Sequence, residues 1–304
     1  MPWLQPPTPA SLRQAIVLQV RALVGGTGDD TVERNRQDTG FFGPGSASWK
    51  VHGDFTSMMV GGVAALLMQM LHPGALAGVW DHSNFRHDMN GRLRRTARFV
   101  AGTTYGDRAE AQRHIDQVRA IHARVSGLLP DGTPYSADDP DLLVWVHAAG
   151  ASSFLAAYLR YADPGFPPER QDQYLREAAD TARRLGADRP PESRAELAAY
   201  FRAVRPQLLY DRRTREVAGA LLSQRPPSAA AAPAMALAFD AAKDLLPDWA
   251  ARMHGFHLSA PRRAAARVGV QAIGQAMRWA LVNSAEARAR RRAAELREGR
   301  PDPR

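Results

Sequence analysis

Apolar positions recur every three to four residues over most of this chain, the period of helices that bury one face. The first such segment, 11–24 (SLRQAIVLQVRALV), follows a proline-rich lead and opens on Ser11, a good N-cap. Segment 55–71 (FTSMMVGGVAALLMQML) is apolar on every side, which marks a helix inside a core rather than on a surface. Its Gly61 and Gly62 each cost about 1 kcal/mol of helix propensity against alanine. Such a pair is tolerated where another helix packs closely, or where the flat face of a cofactor approaches. His72-Pro73-Gly74 ends that helix. Further helices are predicted over 90–104, 107–129, 141–161, 168–186, 192–203, 207–223, 234–246 and 261–298, with a low-complexity hinge at 224–233 (QRPPSAAAAP). No run of alternating β-branched residues stands out. The chain is therefore read as all-α: a lead and helix (1–48), a helical core (49–260), and a C-terminal helix with a basic tail (261–304).

Composition narrows the chemistry. A chain of 304 residues can bury a core that encloses a cofactor. The absence of cysteine excludes a disulfide framework, thiolate-bound zinc, iron–sulfur clusters and a Cys-ligated haem. The net charge of +9 comes almost wholly from arginine, since Lys50 and Lys243 are the only lysines. It is spread along the chain, which describes a solvated basic surface, and no nucleic-acid partner is expected. The exception is 261–298, where Arg262, Arg263 and Arg267 accompany Val268, Val270 and Ile273. That pattern suits either packing on the domain or peripheral contact with an anionic membrane. The N-terminus lacks the basic and apolar regions of a secretory signal. The most apolar stretch, 58–71, falls short of the roughly 20 residues that a bilayer span needs. A cytoplasmic location is expected.

Seven of the nine histidines lie between residues 52 and 147, which points to the first half for chemistry. Ile115, Val118, His122, Val125 and Leu129 form one helical stripe, so His122 faces inward with core residues. Leu143, His147, Ala151, Phe154 and Tyr158 do the same for His147. Each is open to two readings: a core histidine bonded to a backbone carbonyl, or an axial ligand to a metal or haem. Arg119, one turn before His122, can anchor a cofactor carboxylate or lie exposed. Arg92 and Thr96, four residues apart, share a helix face. They suit either an ordinary basic surface or the side of a haem pocket opposite the iron's protein ligand.

Hydrolytic and carboxylate-metal readings lack their motifs. No H-E-x-x-H, E-x-x-H or G-x-S-x-G occurs. Haem is the redox cofactor least opposed by the residues present.

Several motifs follow one another in a telling order: H-P at 72–73, D-H-S at 81–83, R-L-x-R-T at 92–96, P-D-G-x-P-Y at 130–135 and W-V-H-A at 145–148. Together they resemble the oxygenase-like domain shared by latex-clearing proteins (rubber oxygenases) and MpaB-type oxygenases, most strongly over about 50–165. The resemblance implies an all-α, globin-like core with additional helices. It implies haem b and an oxygenase that uses dioxygen to oxidise or cleave a double bond of a small hydrophobic substrate. Matched position by position, His122 takes the place of the axial iron ligand, with Arg119 just before it. Arg92 and Thr96 match the distal arginine and threonine, and His147 a further family histidine, structural or cofactor-adjacent. Arg95 stands where rubber oxygenases carry a distal lysine. Binding of haem or a lipophile without turnover is the alternative function.

Overall fold

The computed structural model describes residues 38–281 and 285–298, together with Ala10, Arg13, Gln14, Ile16, Val17 and Leu18. Most of the predicted helix 11–24, including Ser11, lies outside the described residues. In chain order come α1 (Ala47–Val51), α2 (Phe55–Gln69), α3 (Pro73–His82), α4 (Phe85–Tyr105) and α5 (Arg108–His122). A small hairpin, β1 (Ser126–Leu128) with β2 (Pro134–Ser136), separates them from α6 (Pro140–Tyr161). Then follow α7 (Pro168–Leu185), α8 (Arg194–Val204), α9 (Arg212–Leu222), α10 (Ala232–Leu245), α11 (Asp248–His254), α12 (Ala260–Ala280) and α13 (Ala285–Glu298). The all-α expectation holds.

Two strongly apolar helices, α2 and α6, form the central pair. Val60, Val63, Ala64, Leu67 and Met68 of α2 and Trp145 and Ala149 of α6 are buried in one core. By length and composition α6 could cross a bilayer, yet 67% of its apolar window is buried inside the protein, as befits a core helix. α10 and α12 pack on another side of α2, while α7 lies against α6 and α1. α4 and α5 lie side by side.

Caps set the boundaries. The Asp54 and Asp107 carboxylates accept backbone N–H groups at the starts of α2 and α5 (Ser57 N at 2.8 Å, Glu110 N at 2.7 Å). Asp139 caps α6 by accepting from Asp141 N and Leu142 N, with Pro140 in the first turn. The His72-Pro73-Gly74 break bends the chain by 103° between α2 and α3, and His72 Nδ1 accepts from Gly74 N at 3.2 Å as the new helix's cap.

Three sequence expectations need correction. The helix predicted over 107–129 ends at His122, and 126–128 pairs with 134–136 instead. Val125 and Leu129 continue the helical period, but the strand conformation is held from outside: Tyr135 OH donates to Asp81 at 2.6 Å, and His82 Nε2 lies 3.1 Å from the Ser126 carbonyl. The helix predicted from 90 starts at Phe85 and bends at Asp88 (φ −137°, ψ 54°), whose carboxylate caps the continuation at Gly91 N, 2.8 Å away. The segment 261–298 holds two helices, one ending at Ala280 and the other starting at Ala285. The second folds back on α4, where Arg292 donates to the Tyr105 carbonyl at 2.6 Å and Ala289 and Ala293 are buried.

At Gly61 the close-packing reading of the glycine pair holds, and Gly62 is not pressed by a helix. A Cβ on Gly61 would lie 3.0 Å from both Phe154 Cα and the Ser153 carbonyl, so this glycine lets the α2 and α6 backbones touch. A Cβ on Gly62 would meet only the edge of the Phe154 ring, at 3.8 Å. Gly61→Ala is therefore expected to destabilise the protein by about 1–3 kcal/mol, because backbone cannot give way as a side chain can. Gly62→Ala is expected to be neutral or stabilising by up to about 1 kcal/mol, from helix propensity. Urea unfolding of the two variants checks this; equal losses would refute the division.

Candidate functional site: a histidine-lined cavity

A cavity of about 1770 Å³ opens between α2, α4, α5, α6 and α7. Sites that enclose one small ligand measure roughly 300–1,000 Å³, so this one has room for a cofactor and a substrate together. Its wall along α2 and α6 is apolar, from Met58, Gly62, Leu66, Val146 and Phe154. Gly62, the glycine that no helix presses, faces this space.

Its polar side comes from α1, α4, α5 and α6. His122 is the last residue of α5, half-buried, and its Nδ1 is buried without a hydrogen-bond partner. Burial pushes its pKa below the ordinary value; Asp138 opposes this, and the nearby Arg92 charge adds to it. Arg92 lines the same cavity from α4. Burial also lowers the guanidinium's pKa, as does the like charge of Arg95. Thr96, one turn on, lines the cavity too, but its hydroxyl donates to the Arg92 carbonyl at 3.2 Å, so that proton is held by its own helix.

His147 projects into the cavity from the middle of α6. Burial pushes its pKa down to about 4, against a raising effect of the Ala178 carbonyl, and its Nε2 has no hydrogen-bond partner. Beside it is His52, at the C-terminal end of α1, a residue that periodicity could not single out because α1 is one turn long. His52 is fully engaged: Nδ1 is 2.8 Å from Thr104 Oγ1 and Nε2 3.0 Å from Tyr174 OH. Its pKa falls to about 3, by burial first and His147 second. Both rings retain some exposed surface, and both line the cavity.

The fold thus brings His122, His147, Arg92 and Thr96 to one cavity. It leaves out Arg119, whose side chain is exposed and does not line it. Three residues along α5 place Arg119 about 60° around the helix from His122, toward solvent.

The arrangement fits a haem. A neutral imidazole with an unshared nitrogen is what an iron needs from the protein, because the porphyrin supplies four ligands of its own. Among the described residues no group of three or more His, Asp or Glu could hold a metal ion by itself. A model of the family described as "ER-bound oxygenase mpaB/B'/Rubber oxygenase, catalytic domain" matches residues 49–279. The chain belongs to this family. Searches of curated proteins and of solved structures found no match. The match runs from α1 to the end of α12 and takes in every residue of the cavity's histidine side, so membership assigns an oxygenase catalytic domain that works on oxygen and a substrate. Several motifs behind the resemblance turn out to be scaffolding: H-P caps α3, while Asp81, His82 and Tyr135 clasp the hairpin next to His122.

His52 and His147 protonate near pH 6.5 when unfolded but remain neutral in the folded protein down to about 3 and about 4. Between those limits the unfolded chain binds more protons. Their contribution to stability is therefore complete above pH 6.5 and is lost as pH falls toward 4. Urea unfolding is expected to show stability declining from about pH 6.5 to about pH 4.5, with His147→Gln reducing the slope by about 1.4 kcal/mol per pH unit. An unaltered slope would show that His147 protonates in place.

Proposed function

We propose that the chain is a haem b-dependent oxygenase that uses dioxygen to oxidise or cleave a double bond in a small hydrophobic substrate. The observation that carries this reading is His122: a neutral ring with an unpartnered buried nitrogen, at the wall of a cavity larger than one ligand, beside the Arg92 charge. Haem b, when bound, supplies the iron-centred oxygen chemistry, which is the cofactor's own.

The chain's residues supply the rest. His122 is the proposed iron ligand, kept neutral by burial so that a lone pair is available at any pH above its lowered pKa. His147 provides a second neutral imidazole on the cofactor's side of the cavity. Arg92 places a positive charge at this wall, where it favours negative charge that develops on the reacting groups. Thr96 keeps its hydroxyl on the α4 backbone at this same wall and supports the Arg92 turn. The apolar wall of α2 and α6 takes up a hydrophobic substrate and excludes water.

The reading of 261–298 as a membrane-contact element has less support. Arg262 and Arg267 are paired with Asp240 and Asp244 at 2.6 and 2.7 Å, so part of the basic face is neutralised within the protein. Haem binding without turnover shares the geometry above, and oxygen consumption with an alkene separates it from catalysis.

Purified protein from haem-replete cells is expected to show a Soret band that changes on dithionite reduction. His122→Ala is expected to weaken or shift the band, while Arg119→Ala leaves it in place. A colourless, iron-free protein would overturn the proposal.

A further inference from the structure

Arg92 lines the cavity, partly buried, and has no hydrogen-bond or ion-pair partner among the described residues. A charge partly withdrawn from water is ordinarily answered by a counter-ion. The groups around it do not supply the missing charge. Among the described lining, Arg98 and Arg288 are engaged by partners of their own, which leaves Arg13, Arg92 and Arg95 with a single lining carboxylate, Glu286. Glu286 is engaged by Arg290 at 2.8 Å, and Arg95 pairs with the exposed Asp88 at 3.5 Å. Asp138 acts on His122 and is not among the groups that act on Arg92. A cleft lined by one sign of charge concentrates ions of the other sign.

We infer that Arg92 seats the carboxylate of an amphipathic ligand, whose apolar part lies along Met58, Leu66, Val146 and Phe154. The guanidinium fork takes a carboxylate with two parallel hydrogen bonds, which a neutral ester or alcohol cannot reproduce. Carboxylates of this kind have two sources: a long-chain unsaturated acid as substrate, or a propionate of the haem. The inference rests on the reading of this cavity as the reaction pocket and makes the substrate class an acid rather than a plain hydrocarbon. Gly62 leaves the wall thin where the chain would pass, with nothing but the Phe154 ring edge within 4 Å of a Cβ there.

The test uses the full chain in two arms. In the first, cis-9-octadecenoic acid and its methyl ester are titrated into the protein, read by quenching of tryptophan fluorescence. In the second, hemin and hemin dimethyl ester are titrated into haem-depleted protein, read by the Soret band. The wild type is expected to prefer the acid over its ester by at least about tenfold, and Arg92→Met to bring that ratio close to one. Arg92→Lys, which keeps the charge without the fork, is expected to fall between. Arg92→Met is also expected to melt at or above the wild-type temperature without ligand, and this shows that the variant is folded. A preference confined to hemin over its dimethyl ester, and lost in Arg92→Met, assigns the seat to the propionate and overturns the acid-substrate form. Equal binding of acid and ester in both arms overturns the inference entirely. Failure of hemin to bind at all, with the acid preference intact, would instead sink the oxygenase reading and leave the carboxylate seat standing.

Discussion

The close contact of α2 and α6 at Gly61 is the constraint on which the rest of the structure depends. With no side chain at that position, the α2 backbone meets Phe154 Cα and the Ser153 carbonyl. This fixes the spacing of the two central helices, and the spacing decides how the wall formed by Gly62, Leu66, Val146 and Phe154 borders the cavity. One residue further along, Gly62 turns the same lack of a side chain to a different use, opening space rather than closing it. Two adjacent glycines on one helix thus serve packing and cavity separately, because successive residues point about 100° apart.

Around that wall the dominant electrostatic fact is desolvation. Burial is the largest cause of the lowered pKa of His52, His147, His122 and Arg92 alike. For the histidines the outcome is neutrality and available lone pairs. Arginine cannot readily lose its proton, so for Arg92 the same partial burial leaves a positive charge at the cavity wall. His52, with both ring nitrogens hydrogen-bonded, marks the boundary between the structural and the receptive side of the cavity.

The hairpin shows how family motifs serve chemistry indirectly. Tyr135 on Asp81 and His82 on the Ser126 carbonyl tie β1 and β2 to α3, so α5 stops at His122 instead of running on. Asp138, whose carboxylate accepts the Ser136 hydroxyl, sits near enough to moderate the His122 pKa.

Helix period and cap chemistry made the all-α class, the central place of 55–71 and 141–161, and the inward direction of His147 legible in the chain itself, because each depends on residues close together in sequence. The order of motifs likewise announced the oxygenase family. Long-range contacts decided the remainder. The end of α5 depended on Asp81 and Tyr135, 54 residues apart. The split of the C-terminal segment depended on Arg292 meeting the Tyr105 carbonyl, 187 residues away. His52 joined the site only because α1 lies against α7, where Tyr174 waits, and Arg119 left it through a rotation around α5 that spacing alone left open. Local rules act on neighbours along the chain, whereas the cavity is made by residues that only folding brings together.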